Sequence, residues 1–370
     1  MKTKIVLRII AILIVVLSVL PYVPLDYWWI RSFDFPHLQL TFLSLIIIAF
    51  YLFKFSKKVR IDYFFIAVLL LCIFFQGSKI YPYTFLAPVE VSKSDSNSSE
   101  ANLSVYTANV LQENKERDKI VQSIDKRNPD IILLTETHNE WRNYILDKFA
   151  KKYPYTEIAP FENTYGMMLL SKYKLHDSHI TFLVEDTIPS IQARIILPSK
   201  DTIQLIAIHP TPPVPMENPT SADRDAELMK VAFIVKKTKL PVIVMGDFND
   251  VAWSETTELF QEVSGLLDMR KGRGLYNTYN ANIPVLRWPL DHIFISPGFE
   301  VLHIEKGEHI GSDHFPFYTK VHYNPKNIQK QKLPSPDEDE IEEAVDQIEN
   351  EEEEEKQQEQ EQQEEAVKKR

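Results

Sequence analysis

Hydrophobic residues form three long runs near the N-terminus and many short runs after them. The long runs cover about residues 5–23, 38–55 and 61–77. A membrane-spanning helix needs roughly 20 apolar residues, with about 17 as the lower limit. We therefore expect residues 1–90 to form a membrane anchor of three transmembrane helices.

A cleaved signal peptide is the alternative interpretation of the first run. Pro21 and the lack of a small-residue cleavage pattern nearby weigh against it. A signal peptide would also leave the second and third runs unexplained. The pattern therefore favours three spans.

Basic residues around the long runs predict how the anchor crosses the membrane. Lys2, Lys4 and Arg8 precede the first run, and residues 54–60 between the second and third runs hold four basic side chains. Short loops rich in lysine and arginine stay on the cytoplasmic side. We therefore expect everything after residue 80 to lie on the extracytoplasmic side of a multi-pass protein.

Residues 103–325 carry short apolar runs of strand length, which alternate with stretches of helical spacing. A polar linker, residues 91–102, separates them from the anchor. Strands interleaved with helices are typical of an α/β or α+β domain with a large sheet core. Strands are predicted at 103–108, 130–135, 166–171, 191–197, 202–208, 242–247, 290–296, 299–305 and 315–321, and helices at 114–127, 139–151 and 221–237.

The formal net charge of −11 is unevenly distributed: +5 over residues 1–90, −6 over 91–325 and −10 over 326–370. An acidic middle region argues against binding of long nucleic acid, which favours a positive surface. The Glu/Gln-rich tail, residues 326–370, has too few apolar residues to pack. We expect it to be disordered or a solvated helix. The only cysteine, Cys72, lies in the third apolar run and permits no intrachain disulfide.

Polar residues of types used in hydrolysis follow the predicted strands, where each strand ends. One such residue alone is usually a turn former, but eight in one domain indicate a site. Carboxylates and amides suit a hard divalent cation, and imidazoles titrate near neutral pH. The set suits metal-assisted hydrolysis of a phosphate ester. Its members are Asn109, Glu136, His209, Asp247, Asn249, Asp291, Asp313 and His314.

Several of these residues stand in short motifs with a fixed order along the chain. Gly246-Asp-Phe-Asn249 is followed by Leu290-Asp-His-Ile-Phe294 and then by Gly311-Ser-Asp-His314. Together with Thr107-Ala-Asn109 and Leu133-Leu-Thr-Glu136, the series resembles the endonuclease/exonuclease/phosphatase superfamily. The resemblance implies a DNase I-like fold, an α/β (α+β) four-layer β-sandwich, as the catalytic domain over residues 103–325. It also implies Mg²⁺ or Mn²⁺ as the cofactor.

The resemblance assigns roles around the metal and the attacking water. Glu136 is similar to the principal metal ligand of the family, and Asp313 to an auxiliary ligand. Asn109 corresponds to the amide beside the metal and the phosphate. Asp247 corresponds to the residue that positions or deprotonates the attacking water, and Asn249 to its phosphate-binding companion.

The resemblance also assigns the two imidazoles. His314 corresponds to the imidazole at the scissile phosphate, oriented by Asp291, and His209 to a second imidazole. Which histidine is the acid and which the base stays open. Arg194 and Arg224 are candidates for extra phosphate contacts, because a bidentate guanidinium suits a phosphate.

Membrane spans followed by an external catalytic domain resemble the membrane-anchored bacterial VanJ/YafD-like branch of this superfamily. This implies a location in a bacterial inner or plasma membrane. The implied substrate is an envelope lipid phosphate or another small or lipid-linked phosphate ester. Two alternatives stay open: an extracytoplasmic endo- or exonuclease, and an inactive binding scaffold. The sequence identifies no protein partner.

Overall fold

The structure is a computed structural model that describes residues 2–53, 59–96 and 98–368. Residues 54–58 of the predicted basic loop and Asn97 of the linker lie outside these ranges. The helices are α1 (Lys2–Val19), α2 (Trp28–Arg31), α3 (His37–Phe53), α4 (Arg60–Ile80), α5 (Arg117–Arg127), α6 (Asn139–Phe149), α7 (Ala222–Lys237), α8 (Glu255–Ser264), α9 (Ile328–Gln331) and α10 (Glu338–Lys368). The strands are β1 (Asn102–Asn109), β2 (Ile131–Thr135), β3 (Tyr155–Ala159), β4 (Met167–Ser171), β5 (His176–Phe182), β6 (Pro189–Ile196), β7 (Thr202–Ile208), β8 (Val242–Asp247), β9 (Leu267–Asp268), β10 (Asp291–Ile295), β11 (Phe299–Lys306) and β12 (Phe317–Tyr323).

The N-terminal part contains two helices long and apolar enough to cross a membrane, at Lys2–Tyr22 and Arg60–Tyr83. The predicted second span is a pair of helical segments, Trp28–Asp34 and His37–Phe53, which meet at a bend of 67°. Pro36 lies at this bend, and a proline has no backbone N–H for the helical hydrogen bond and its ring clashes with the preceding turn. Within the described residues there are therefore two candidate spans, or three if the bent pair is one span.

Two six-stranded sheets form the rest of the protein, in the orders β11-β12-β1-β2-β4-β3 and β5-β6-β7-β8-β10-β9. Their inner faces share one apolar core, to which Leu133 and Met245 belong. Helices α5 and α6 cover the outer face of the first sheet. Helices α7, α8 and α10 cover the outer face of the second. The layers are therefore helix, sheet, sheet and helix, as in the predicted four-layer sandwich.

The sheet registers bring the ends of the central strands together. β1 and β2 are parallel, and so are β7 and β8. β10 runs antiparallel to β8 with Asp291 opposite Asp247, so the start of β10 meets the end of β8. Polar residues that follow each strand therefore collect at one edge of the two-sheet core.

The acidic tail differs from the prediction. α10 is helical, and its first half packs against α7 and α8 instead of standing alone in solvent. Apolar side chains spaced by three and four residues form one face of this helix. The ion pair between Lys230 Nζ and Glu351 Oε2, at 3.1 Å, adds to the contact. The packed residues of the tail are Ile341, Ala344 and Ile348.

The segment between α1 and α3 lies against the two-sheet domain. Trp28 N donates to Pro219 O at 2.9 Å. Trp253 Nε1 donates to Asp34 O at 2.8 Å, and both residues are buried. The anchor is therefore packed directly onto the domain that carries the candidate site.

Candidate active site

The eight strand-end residues of the sequence analysis meet at one pocket with a volume of about 670 Å³. Seven of them line it, and the eighth, Asp291, lies behind His314 and hydrogen-bonds to it. The seven lining residues are Asn109, Glu136, His209, Asp247, Asn249, Asp313 and His314.

Backbone conformation at the strand ends explains part of this local sequence. Gly246 has φ +149°, and a Cβ built there would lie 1.9 Å from the carbonyl oxygen of Ile208 on β7. Only glycine fits so close to the neighbouring strand. Glu136 and Asn249 adopt left-handed conformations, with φ of +59° and +52°. Such strain in residues other than glycine is concentrated at functional sites.

A chain of buried hydrogen-bonded and charged groups runs through His314. Its Nδ1 lies 2.7 Å from Asp291 Oδ2, and its Nε2 lies 3.5 Å from Asp247 Oδ2. Burial lowers the pKa of His314, but Asp247 and Asp291 outweigh burial and raise this pKa to about 10. His314 is therefore a cation at neutral pH. The Tyr279 ring packs beside the imidazole, with 4.9 Å between centroids.

His209 is the second imidazole, and its charge state differs from that of His314. Its Nε2 lies 3.9 Å from Asp247 Oδ2. Burial lowers the pKa of His209 to about 4, because the nearby Asp247 does not compensate for lost solvation. His209 is neutral at pH 7. One carboxylate, Asp247, therefore lies between a charged and a neutral imidazole.

Asn109 connects the two sheets at the bottom of the pocket. Its Nδ2 donates to Glu136 Oε1 at 2.7 Å and to Asp247 Oδ2 at 3.0 Å. Glu136 Oε2 also accepts from the backbone N–H of Gln112 at 3.1 Å. Even so, burial raises the pKa of Glu136 to about 7. This carboxylate is under-compensated by the protein and has Asp313 as a further acidic neighbour.

These donors fit a divalent cation. Buried carboxylates are stable when a positive charge neutralises them, and oxygen ligands are those that Mg²⁺ and Mn²⁺ prefer. Atoms of Asp247, Asp291 and His314 also lie within 4.8 Å of one another. His314 Nδ1 is already engaged by a hydrogen bond to Asp291 and His314 Nε2 by an ion pair with Asp247, so this second group is held together by its own contacts. The carboxylate of Glu136 is the better candidate ligand.

The structure does not bring the two predicted arginines into the pocket. Arg194 is exposed on β6 and pairs with Asp177 at 2.8 Å. Arg224 is buried, pairs with Asp225 at 2.7 Å, and donates to the backbone oxygen of Asn249 at 3.2 Å. Arg194 is therefore left out of the proposed site. Arg224 contacts the site only from outside the pocket, through the backbone of Asn249.

Asn249 lines the pocket, but its side chain is engaged by the protein. Its Nδ2 donates to Pro210 O at 2.8 Å, and its backbone N–H donates to Asp247 Oδ1 at 3.0 Å. Through the left-handed turn at Asn249, the backbone N–H of this residue holds Asp247 in place.

Sequence reasoning did not identify the aromatic and apolar side of the pocket. Phe35 and Trp288 line it and pack edge to face, with 5.5 Å between ring centroids. They are 253 positions apart in the printed sequence, and isolated aromatic residues usually indicate core packing. The one signal in the sequence is Pro36, which follows Phe33 and Phe35 and indicates a bend in the chain at these aromatic residues. Other aromatic and apolar lining residues include Phe33, Tyr165, Val214, Tyr279, Leu286 and Leu290.

The sequence profile of the Endonuclease/Exonuclease/phosphatase family matches residues 102–314. The chain belongs to this family and is a phosphoric ester hydrolase. A comparison with curated protein sequences finds no match.

Three solved structures are similar to part of this chain. A conserved protein of unknown function from Enterococcus faecalis V583 is 15% identical, with 60% of this chain and 100% of that chain covered and a TM-score of 0.50. The human Nocturnin catalytic domain with bound sulfate is 18% identical, with 66% and 99% covered and a TM-score of 0.49. D. rerio TDP2 complexed with single-stranded DNA product is 18% identical, with 60% and 99% covered and a TM-score of 0.49. At 15% identity the likeness to the Enterococcus faecalis protein shows the fold alone.

Proposed function

We propose that this protein is a divalent-metal-dependent phosphoesterase, anchored in a bacterial plasma membrane, that hydrolyses a phosphate ester outside the cytoplasm. An envelope lipid phosphate is the substrate class we favour. The observation that carries the proposal is the buried chain Asp291–His314–Asp247. It lies in a pocket that shares a wall with the membrane anchor.

In this proposal, Asp247 acts on the attacking water and the neighbouring His314 acts on the phosphoryl oxygens. The Asp247 carboxylate orients the attacking water and accepts its proton, and Asn109 holds the carboxylate in position. The His314 cation faces the phosphoryl oxygens and stabilises the negative charge that develops on them. Asp291 orients the His314 ring and keeps it charged. His209 is neutral and supplies a hydrogen bond to the phosphate.

Glu136 and Asp313 would hold Mg²⁺ or Mn²⁺ beside Asn109. The ion supplies polarisation of a phosphoryl oxygen when it is bound. The protein contributes the orientation of the carboxylate, because Asn109 and the backbone of Gln112 fix both oxygens of Glu136.

The basic N-terminal residues support the proposed location outside the cytoplasm. An alkaline phosphatase fusion after residue 95 tests it. We expect an active fusion, since alkaline phosphatase matures outside the cytoplasm. An inactive fusion, together with an active cytoplasmic reporter at the same position, would reverse the orientation.

The activity is tested with the full chain in lipid nanodiscs, with Mg²⁺, with Mn²⁺ or with EDTA. The panel holds polyprenyl phosphates, phospholipids, inositol phosphates and plasmid DNA, and phosphate release or DNA cleavage is measured. We expect metal-dependent turnover of a lipid phosphate, lost in His314→Ala and kept in the surface control Arg194→Ala. DNA cleavage with intact lipids would instead support a nuclease, and no turnover of any substrate would support a scaffold.

A further inference from the structure

The pocket that holds His314 has one side built from the membrane anchor. The bend between α2 and α3 places Phe33 and Phe35 in the pocket lining, together with Leu286 and Trp288 of the catalytic domain. We call these four residues the membrane-side wall. Three of them are aromatic, and none carries a charge. Such a surface contacts hydrocarbon well and contributes little to binding of a polar headgroup.

The loop that contributes Leu286 is an apolar turn at the level of the membrane helices. Leu286 N donates to Ile283 O at 3.1 Å, and Pro284 and Val285 form the tip. Val285 is 74% exposed in the described structure. Its carbonyl oxygen accepts from Gln39 Nε2 at 3.1 Å, and Gln39 lies in the first turn of α3.

The contact with the first turn of α3 explains why the Ile283–Leu286 turn exposes apolar side chains. α3 is the longer apolar helix of the bent pair, and an α3 that crosses the membrane would have its first turn at the bilayer boundary. Apolar side chains exposed together mark an interaction surface. A turn at this level buries Ile283 and Val285 in the acyl and headgroup boundary, in the manner of an interfacial anchor. Leu286 follows directly and lines the pocket.

We propose that the membrane-side wall binds the hydrocarbon chain of the substrate, whose phosphate headgroup lies at His314. The substrate then enters from the bilayer between the Ile283–Leu286 turn and the Phe33–Phe35 segment. This inference rests on the proposed function for the identity of the headgroup. It adds that the hydrocarbon chain of the ligand is bound in the pocket itself and that the anchor takes part in selecting it. Burial of each added methylene against the wall strengthens binding.

The first test measures contact of the turn with the bilayer, independently of catalysis. Val285→Cys is labelled with bimane in a Cys72→Ser background, in nanodiscs, and quenched with aqueous iodide. The matched control is Ile196→Cys, an exposed aliphatic position on β6. We expect quenching at position 285 to be lower by about threefold or more, because lipid shields an interfacial side chain. Equal quenching at the two positions would overturn the proposed entry route.

The second test measures binding of the chain. Dissociation constants of butyl phosphate and dodecyl phosphate are determined for the full chain in nanodiscs with Mg²⁺. Empty nanodiscs correct for partition of the ligand into lipid. We expect dodecyl phosphate to bind at least about a hundredfold more tightly. Phe35→Ala should reduce this ratio at least about tenfold, whereas Ile196→Ala should leave it unchanged.

The two proposals fail in different ways. A ratio near one, or a ratio that Phe35→Ala does not alter, would overturn the chain-binding wall even if phosphate esters are hydrolysed. A chain-dependent ratio that falls in Phe35→Ala, in a protein that cleaves no phosphate ester, would leave the wall in place and remove the proposed function.

Discussion

The pocket has two sides of different origin. Its floor consists of Asn109, Glu136, Asp247 and His314, which lie at strand ends and are held by hydrogen bonds or ion pairs. The membrane-side wall consists of apolar side chains, half of them from the anchor. In the proposed function the floor determines which bond is broken, whereas the wall is suited to determine which molecule is bound. The two properties can therefore change independently.

The largest expected effect comes from the residue behind the floor. Asp291→Asn removes the carboxylate that orients His314 and keeps it charged. We expect kcat to fall at least about a hundredfold on every substrate, because a cation facing the phosphate contributes in the transition state. The comparison predicts little change in KM for long-chain substrates.

Steady-state kinetics and the NMR titration of the His314 imidazole check this prediction. Asp177→Asn, at an exposed carboxylate on β5, is the matched control. If KM rises while kcat is unchanged, Asp291 contributes to substrate binding. The assignment of catalysis to the floor and of binding to the membrane-side wall would then be wrong.

Metal binding to the floor gives the next effect. In the wild type, saturating Mg²⁺ at about a hundred times its dissociation constant adds about 2.7 kcal/mol to the free energy of unfolding. At about 2–4 °C per kcal/mol, Tm should rise by roughly 5–10 °C. Glu136→Gln should remove most of this rise, whereas Glu113→Gln, at an exposed position, should keep it. Equal rises in both variants would place the ion elsewhere.

The two arginines named in the sequence analysis should differ in their effect on stability, because only Arg224 lies beneath the floor. Arg224→Ala leaves the buried carboxylates of Asp225 and Asp250 without their cation, which should cost about 3–5 kcal/mol of unfolding free energy. Arg194→Ala removes an exposed pair and should change it by less than about 0.5 kcal/mol. Urea unfolding of the full chain in nanodiscs measures both. Similar effects would mean that Arg224 has no special role in holding Asn249 and Asp250.

A buried acid remote from both sides gives the smallest effect and depends on pH. Burial raises the pKa of Glu227, on α7, to about 8, although Ser190 donates to it at 2.9 Å. The folded state therefore favours the protonated form, and its stabilising contribution is lost as pH rises from about 4.5 to 8. Glu227→Gln should raise Tm at pH 8 by at least about 5 °C and have little effect near pH 4.5. A gain that is equal at both pH values would contradict the raised pKa.

The sequence predicted the floor because its chemistry is local. Gly246 is required where β8 passes close to β7, and Asp247 follows at the strand end in a motif of fixed composition. Asp291 and His314 are distant along the chain, yet each stands in its own motif. Strand ends of a two-sheet core converge, so the residue types and their order were enough to bring these groups together.

The membrane-side wall, strand β5 and the packing of the tail could not be predicted from the sequence, for physical reasons. Phe35 and Trp288 meet only because the anchor packs onto the domain, and an aromatic residue carries no sign of its partner. Strand β5 was not predicted, since Asp177 and His179 interrupt any apolar alternation. The tail was expected to be too polar to pack, but Ile341 and its two apolar neighbours one and two turns later are enough when α7 offers a matching surface.

Turnover of a long-chain and a short-chain phosphate ester by the full chain in nanodiscs tests the central claim most directly. Phosphate release from polyprenyl phosphate and from butyl phosphate is compared with and without Mg²⁺, in the wild type and in His314→Ala. We predict metal-dependent release that favours the long chain by at least about tenfold and is lost in His314→Ala. Equal release from both esters, or release that survives His314→Ala, would contradict the account.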